Sequence, residues 1–131
     1  MAKLSQAELL HIFKALKKEL MPYEKGDIKA RTDIEGKYDL WVEKEKGMMV
    51  FGKIRKECFF SAIMIQSGYV GFHYMPIYGS DTVRGKLDPE LLKLLKGKAC
   101  FHIKSADPKL MKLVKDALEI GYKGYKKMGW I

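Results

Sequence analysis

Tyr69-Val-Gly-Phe-His-Tyr-Met-Pro-Ile-Tyr78 and, after a polar loop and a short helix, Lys98-Ala-Cys-Phe-His-Ile-Lys104 decide the fold. Both runs read as strands within one organising stretch, Gly68–Lys104. Side chains alternate across a strand. Val70, Phe72 and Tyr74 therefore share one side, and Tyr69, Gly71, His73 and Met75 the other. In the second run Ala99, Phe101 and Ile103 oppose Lys98, Cys100, His102 and Lys104. Each strand has one apolar face to bury and one face bearing titratable groups.

N-terminal to this pair the chain predicts one helix and four strands. Ser5 and Glu8 form a capping box, and Leu9, Ile12, Phe13, Leu16 and Leu20 recur at helical spacing, with His11 off the stripe. Pro22 and Gly26 end the helix. Strands are expected at Asp27–Ile34 and Lys37–Glu43, joined at Glu35-Gly36, with Trp41 facing away from Tyr38, Leu40 and Val42. Lys44–Gly47 reads as a charged turn before strands at Met48–Arg55 and Cys58–Gln66. In the last of these Phe59, Ser61, Ile63 and Ile65 alternate with Cys58, Phe60, Ala62 and Met64, a pattern expected of a strand covered on two sides. Short connections make the group a meander.

Between the two deciding runs, Gly79–Lys86 has loop composition. Asp88 and Pro89 then start a helix whose apolar face is Leu91, Leu92, Leu94 and Leu95, stopped at Gly97. Asp107-Pro108 repeats the start signal for the closing helix, striped by Leu110, Leu113, Val114, Ala117 and Leu118. Gly121 and Gly124 weaken its continuation, at about 1 kcal/mol each in a helix interior. Amphipathic helices at both ends need an apolar surface. The expected fold is a single α+β domain over residues 1–131, a two-layer sandwich with a curled, mostly antiparallel sheet of about six strands. Its N- and C-terminal helices lie on one face.

Composition is that of a globular chain: 131 residues, 47% hydrophobic and 31% charged, which excludes a disordered polymer. No apolar run approaches the ~20 residues of a membrane span. The opening Met1–Ser5 lacks the apolar core of a signal peptide, so the expected compartment is cytoplasmic. Cys58 and Cys100 sit in apolar runs and read as reduced thiols. The net charge of +9 suggests a polyanionic partner such as nucleic acid or a phosphorylated ligand, against which stands a simply solvated lysine-rich surface. Arg31, Arg55 and Arg84 are the only arginines, and the lysines form no block, so a nucleic-acid partner is disfavoured.

No glycine-rich phosphate loop, Cys-x-x-Cys, His-Glu-x-x-His or Gly-x-Ser-x-Gly is present, so no catalytic residue and no cofactor is assigned. Cys100-x-His102, joined by His73, could offer three metal ligands, yet such a pair on a strand is more often packing. A ligand cleft is the better use of these residues. Gly71 removes a side chain from the titratable face. Tyr69, His73, Met75 and Tyr78 wall the space, with Cys100 and His102 opposite and Lys96, Lys98 and Lys104 near. Tyr69, Gly71, His73, Tyr78, Lys98, Cys100 and His102 are thus the candidate binding residues for a small anion.

Tyr69–Tyr78, Leu87-Asp-Pro-Glu-Leu91, Lys96–Lys104 and the closing Gly121-Tyr-Lys-Gly-Tyr125 together resemble the YdhG-like family of small bacterial proteins. The resemblance covers about the last two-thirds of the chain. It implies a frataxin-like layout, and for some members an intracellular iron-chaperone role. Frataxins present iron on a carboxylate-rich first helix and strand. Here Glu8, Glu19, Glu24 and Asp27 are interleaved with Lys14, Lys17, Lys18, Lys25 and Lys29, which opposes a hard cation. The sequence therefore reads as a non-enzymatic binding domain for a small anion. A frataxin-like iron chaperone and an enzyme of unassigned class are the alternatives.

Overall fold

The computed structural model describes residues 4–50, 52–78 and 81–131. Its first helix, α1 (Gln6–Leu20), begins where the cap predicts. Ser5 Oγ accepts from the Glu8 amide at 3.1 Å, and Glu8 Oε1 accepts from the Ser5 amide at 3.0 Å. The stripe Leu9, Ile12, Phe13, Leu16 and Leu20 is buried along its whole length. Fully burying a side chain such as Leu16 contributes about 1.5–3 kcal/mol.

Six strands follow: β1 (Ile28–Ile34), β2 (Lys37–Val50), β3 (Lys53–Gln66), β4 (Tyr69–Tyr74), β5 (Leu95–Lys96) and β6 (Cys100–Ile103). They form one sheet in the order β1-β2-β3-β4-β6-β5, with every pairing antiparallel. The α+β class, the antiparallel sheet and the terminal helices are as the sequence predicts.

The expected turn at Lys44–Gly47 is absent. β2 runs through it to Val50, and the chain reverses between Val50 and Lys53, with Gly52 at φ +81°. Phe51, within an expected strand, lies outside the described residues. The four residues Lys44–Gly47 oppose Lys56 alone, so they form a bulge, and Gly47 supplies its positive φ of 79°. A charged run marks solvent, and an exposed bulge is as solvated as a turn.

A second bulge corrects the faces of Cys58–Gln66. Leu40 pairs with Ser61 and Trp41 with Phe59, leaving Phe60 as the extra residue. Phe60 and Ser61 therefore both point inward. Cys58, Phe60, Ser61 and Ile63 are buried on the helix side, while half-buried Phe59 meets Trp41 at 5.2 Å on the other. The apolar character of both faces comes from this change of phase.

β4 ends at Tyr74 because Pro76 lacks the N–H a ladder needs. Met75–Ile77 is a 3-10 turn instead of strand. The expected loop is helical over α2 (Asp81–Lys86), while Gly79 and Ser80 lie outside the described residues. The helix capped by Asp88, α3 (Pro89–Leu92), is shorter than expected. Leu95 and Lys96 leave it to pair with β6 through Gly97 at φ +83°. Their ladder bonds satisfy backbone groups that a frayed helix end would leave to water.

The last helix, α4 (Pro108–Lys127), starts at its Asp107 cap and continues through both glycines. Gly121 is required there. A Cβ on it would lie 2.6 Å from Pro76 Cγ and 2.7 Å from Tyr74 Oη, and the Tyr74 hydroxyl donates to the Ala117 carbonyl at 2.5 Å. Val70, Phe72, Phe101 and Ile103 are fully buried in one core cluster with the apolar stripes of α1 and α4.

Candidate functional site

The open face of the sheet brings five of the seven expected site residues together. Gly71 pairs with His102 and His73 with Cys100 across β4 and β6. Tyr69 stacks on His102 with ring centroids 3.7 Å apart and planes 11° off parallel. Tyr78 and Lys98 form their own contact, with the ammonium 5.7 Å from the ring centre, beyond the end of β4. Lys96 lies opposite Cys100 in the ladder.

The space above Gly71 is taken by its neighbours. An added Cβ would meet His73 Nε2 at 3.3 Å and Cys100 Sγ at 3.7 Å, with Gln66 Cγ also at 3.7 Å. Gly71 thus makes room for the imidazole of His73 itself. His73 Nε2 is buried and has no hydrogen-bond partner among the described residues. Burial first, and His102 second, hold His73 below the usual imidazole range. Burial also pushes the Cys100 thiol up.

Metal donors do not converge. Among the described residues no group of three His, Cys, Asp or Glu side chains could hold an ion. In the first-helix region Glu8 is engaged at its cap and Glu24 accepts from the Tyr38 hydroxyl at 2.6 Å. Cys58 and Cys100 are free thiols, on opposite sides of the sheet.

A groove lies on the helix side, between the 3-10 turn, α2 and the C-terminal half of α4. Its volume is about 660 Å³, within the range of small-ligand sites, ~300–1,000 Å³. Met75 and Pro76 come from the turn, Val83 from α2, and Ile120, Gly124 and Tyr125 from α4. Tyr78, Thr82, Met128 and Trp130 also line it. A Cβ on Gly124 would meet Val83 Cγ2 at 3.5 Å, an ordinary contact between α4 and α2. Tyr125 donates to the Phe59 carbonyl at 2.6 Å and meets the Trp130 ring edge-on at 4.8 Å. Trp130 Nε1 donates to the Met49 carbonyl at 2.7 Å. The wall is thereby tied to the long β2–β3 hairpin.

Lys86, Lys123 and Lys127 stand at this groove, and none has an ion-pair partner among the described residues. Among the described residues no Asp, Glu, His or Cys lines it. The Tyr125 phenol is pushed far above its ordinary range, by burial first and the neighbouring Cys58 second, so it stays neutral. The groove thus combines three cations with apolar surface.

Sequence reasoning missed the groove because three separate segments build it. A trace was present: Ile120, Lys123, Gly124 and Lys127 recur at three- and four-residue spacing, which places them on one helix face. Comparison of the chain with protein-family models, with curated proteins and with solved structures finds no match in any of the three.

Proposed function

We propose that the chain is a binding protein for a small anion with an apolar body, and that the groove against α4 takes it. One observation supports this reading above the others: three lysines without ion-pair partners among the described residues stand over an apolar groove of about 660 Å³, which no described acid lines. The anionic class agrees with the net charge of +9, while the place moves from the open sheet face to the helix side. Lysine stems can cover the apolar body and their ammonium groups the charge.

Trp130 lines the groove and reports occupancy. In a Trp41→Phe background, titration with decanoate below its micellar range should change the Trp130 emission saturably, at one ligand per chain. Lys123→Glu and Lys127→Glu should each weaken binding by about tenfold, since each removes an attraction and adds a repulsion. No saturable change, or equal affinity in both variants, overturns the reading.

A second reading keeps the anion at the patch of Tyr69, Gly71, His73, Cys100 and His102, and the unpartnered His73 Nε2 favours it. In the same titration His73→Ala would abolish binding if this reading were correct, and Lys127→Glu would not. The YdhG-like grouping with its frataxin-like layout is proposed on the stretches that carry the resemblance and on the order of helix, sheet and helix; the iron-chaperone role it implies for some members has no converging set of three donors behind it among the described residues.

A further inference from the structure

The groove does not stop at Lys86 and Lys123. A second cleft of about 440 Å³ shares Lys86, Ile120 and Lys123 with it and continues toward the start of α4. Its floor is Leu87, Leu113 and Ala117, and its acids are Asp88, Asp116 and Glu119. The two clefts adjoin along Lys86, Ile120 and Lys123; taken together as one trough, they run from Lys127 in the first to Asp88, Asp116 and Glu119 in the second.

We infer that this trough takes a linear amphiphile carrying an anionic group at one end and an amino group at the other. The inference rests on the proposed function above and extends it. Asp116, Ile120, Lys123 and Lys127 follow one another at four-, three- and four-residue steps, so one face of α4 presents the whole series. At 1.5 Å per residue, Asp116 lies roughly 10 Å along the axis from Lys123 and roughly 16 Å from Lys127. An extended peptide of about three to five residues spans that separation. So does an alkyl chain with a carboxylate and an amine at its ends.

The acids differ in their commitments. Asp88 caps α3, accepting from the Glu90 amide at 2.8 Å, and Glu119 lies 3.5 Å from the Tyr23 hydroxyl. Asp116 has no ion-pair or hydrogen-bond partner among the described residues. It is therefore the acid placed to meet an amine, and it is exposed, so its substitution leaves the fold intact.

The test compares dodecanoate, ω-aminododecanoate and a tetraleucine peptide with free termini, read by Trp130 emission in the Trp41→Phe background. The amino acid should bind about two- to fivefold more tightly than dodecanoate, the gain of a solvent-exposed ion pair. Asp116→Asn should erase that gain, so that the variant binds the amino acid no more tightly than it binds dodecanoate. Tighter binding of the peptide than of the amino acid assigns the ligand to peptides, and the reverse assigns it to alkyl chains. Equal affinity for dodecanoate and its amino derivative overturns this inference and leaves the proposed function standing. Binding of neither overturns both.

Discussion

Gly121 and Gly124 are one turn apart on α4 and should respond oppositely to a methyl group. At Gly121 the methyl would strike Pro76 at 2.6 Å and Tyr74 Oη at 2.7 Å, inside a packed helix–sheet contact. Gly121→Ala should therefore destabilise by about 1–3 kcal/mol, despite its better helix propensity. At Gly124 the nearest atom is 3.5 Å away, an ordinary contact, and Gly124→Ala should stabilise by up to about 1 kcal/mol. Urea denaturation of both variants is the check, and equal effects would refute the contact. His73 gives a second test at this scale. Its proton affinity is depressed in the folded chain, so the unfolded chain, titrating near about pH 6.5, binds the proton more readily. Its contribution to stability is whole above about pH 6.5 and is lost as pH falls below that value toward the depressed one. The stability difference between wild type and His73→Gln should shrink in that window. A difference that stays constant down to about pH 5 would contradict it. The cap of Ser5 and Glu8 was legible because both partners lie within four residues. The need for glycine at 121 was not, because Pro76 and Tyr74 impose it from 45 and 47 positions away in the sequence.

The β2–β3 hairpin is the element whose details the sequence conceals. Alternation gave the two faces of β4 and β6 correctly, since no bulge interrupts Val70–His73 or Cys100–Ile103. It failed in β3, where one extra residue at Phe60 inverts the phase. Adjacent phenylalanines therefore have unlike environments. Phe60→Ala should cost about 3–5 kcal/mol, like Phe72→Ala and Phe101→Ala, because all three rings are fully buried under the helices. Phe59→Ala should cost distinctly less, as the ring is half-buried against Trp41 on the open face. Thermal unfolding of the four variants tests the bulge. Equal losses at Phe59 and Phe60 would restore simple alternation. Loop composition misled in the same way at Asp81–Lys86, where a short helix holds Val83 and Lys86 against α4.

Across the whole molecule the charge is dispersed, and that sets what it can hold. The +9 excess does not gather into one block of sequence, and described lysines such as Lys17 and Lys93 are already paired with Asp33 and Glu90. Duplex DNA should therefore be released as counterions compete. We expect no micromolar retention at ~200 mM salt in a fluorescence-anisotropy titration, whereas decanoate binding in the groove should persist. Fold class was legible at this scale because amphipathic periods and caps are local properties. The groove was not, because it exists only where residues 75–78, 81–86 and 120–130 converge. Gly71 signalled an open space in the sequence, but the ring two residues along the same strand fills it.

The contact of Gly121 with Tyr74 and Pro76 gives the trough the mechanics of a vice with one fixed jaw. The Tyr74 hydroxyl and the missing methyl set α4 at one height above the sheet, so that wall cannot retreat without breaking a buried bond. The opposing jaw is α2, six residues long, with Val83 as its buried foothold. If the groove takes a guest as proposed, that guest would bear on α4 as the wall tied to the sheet.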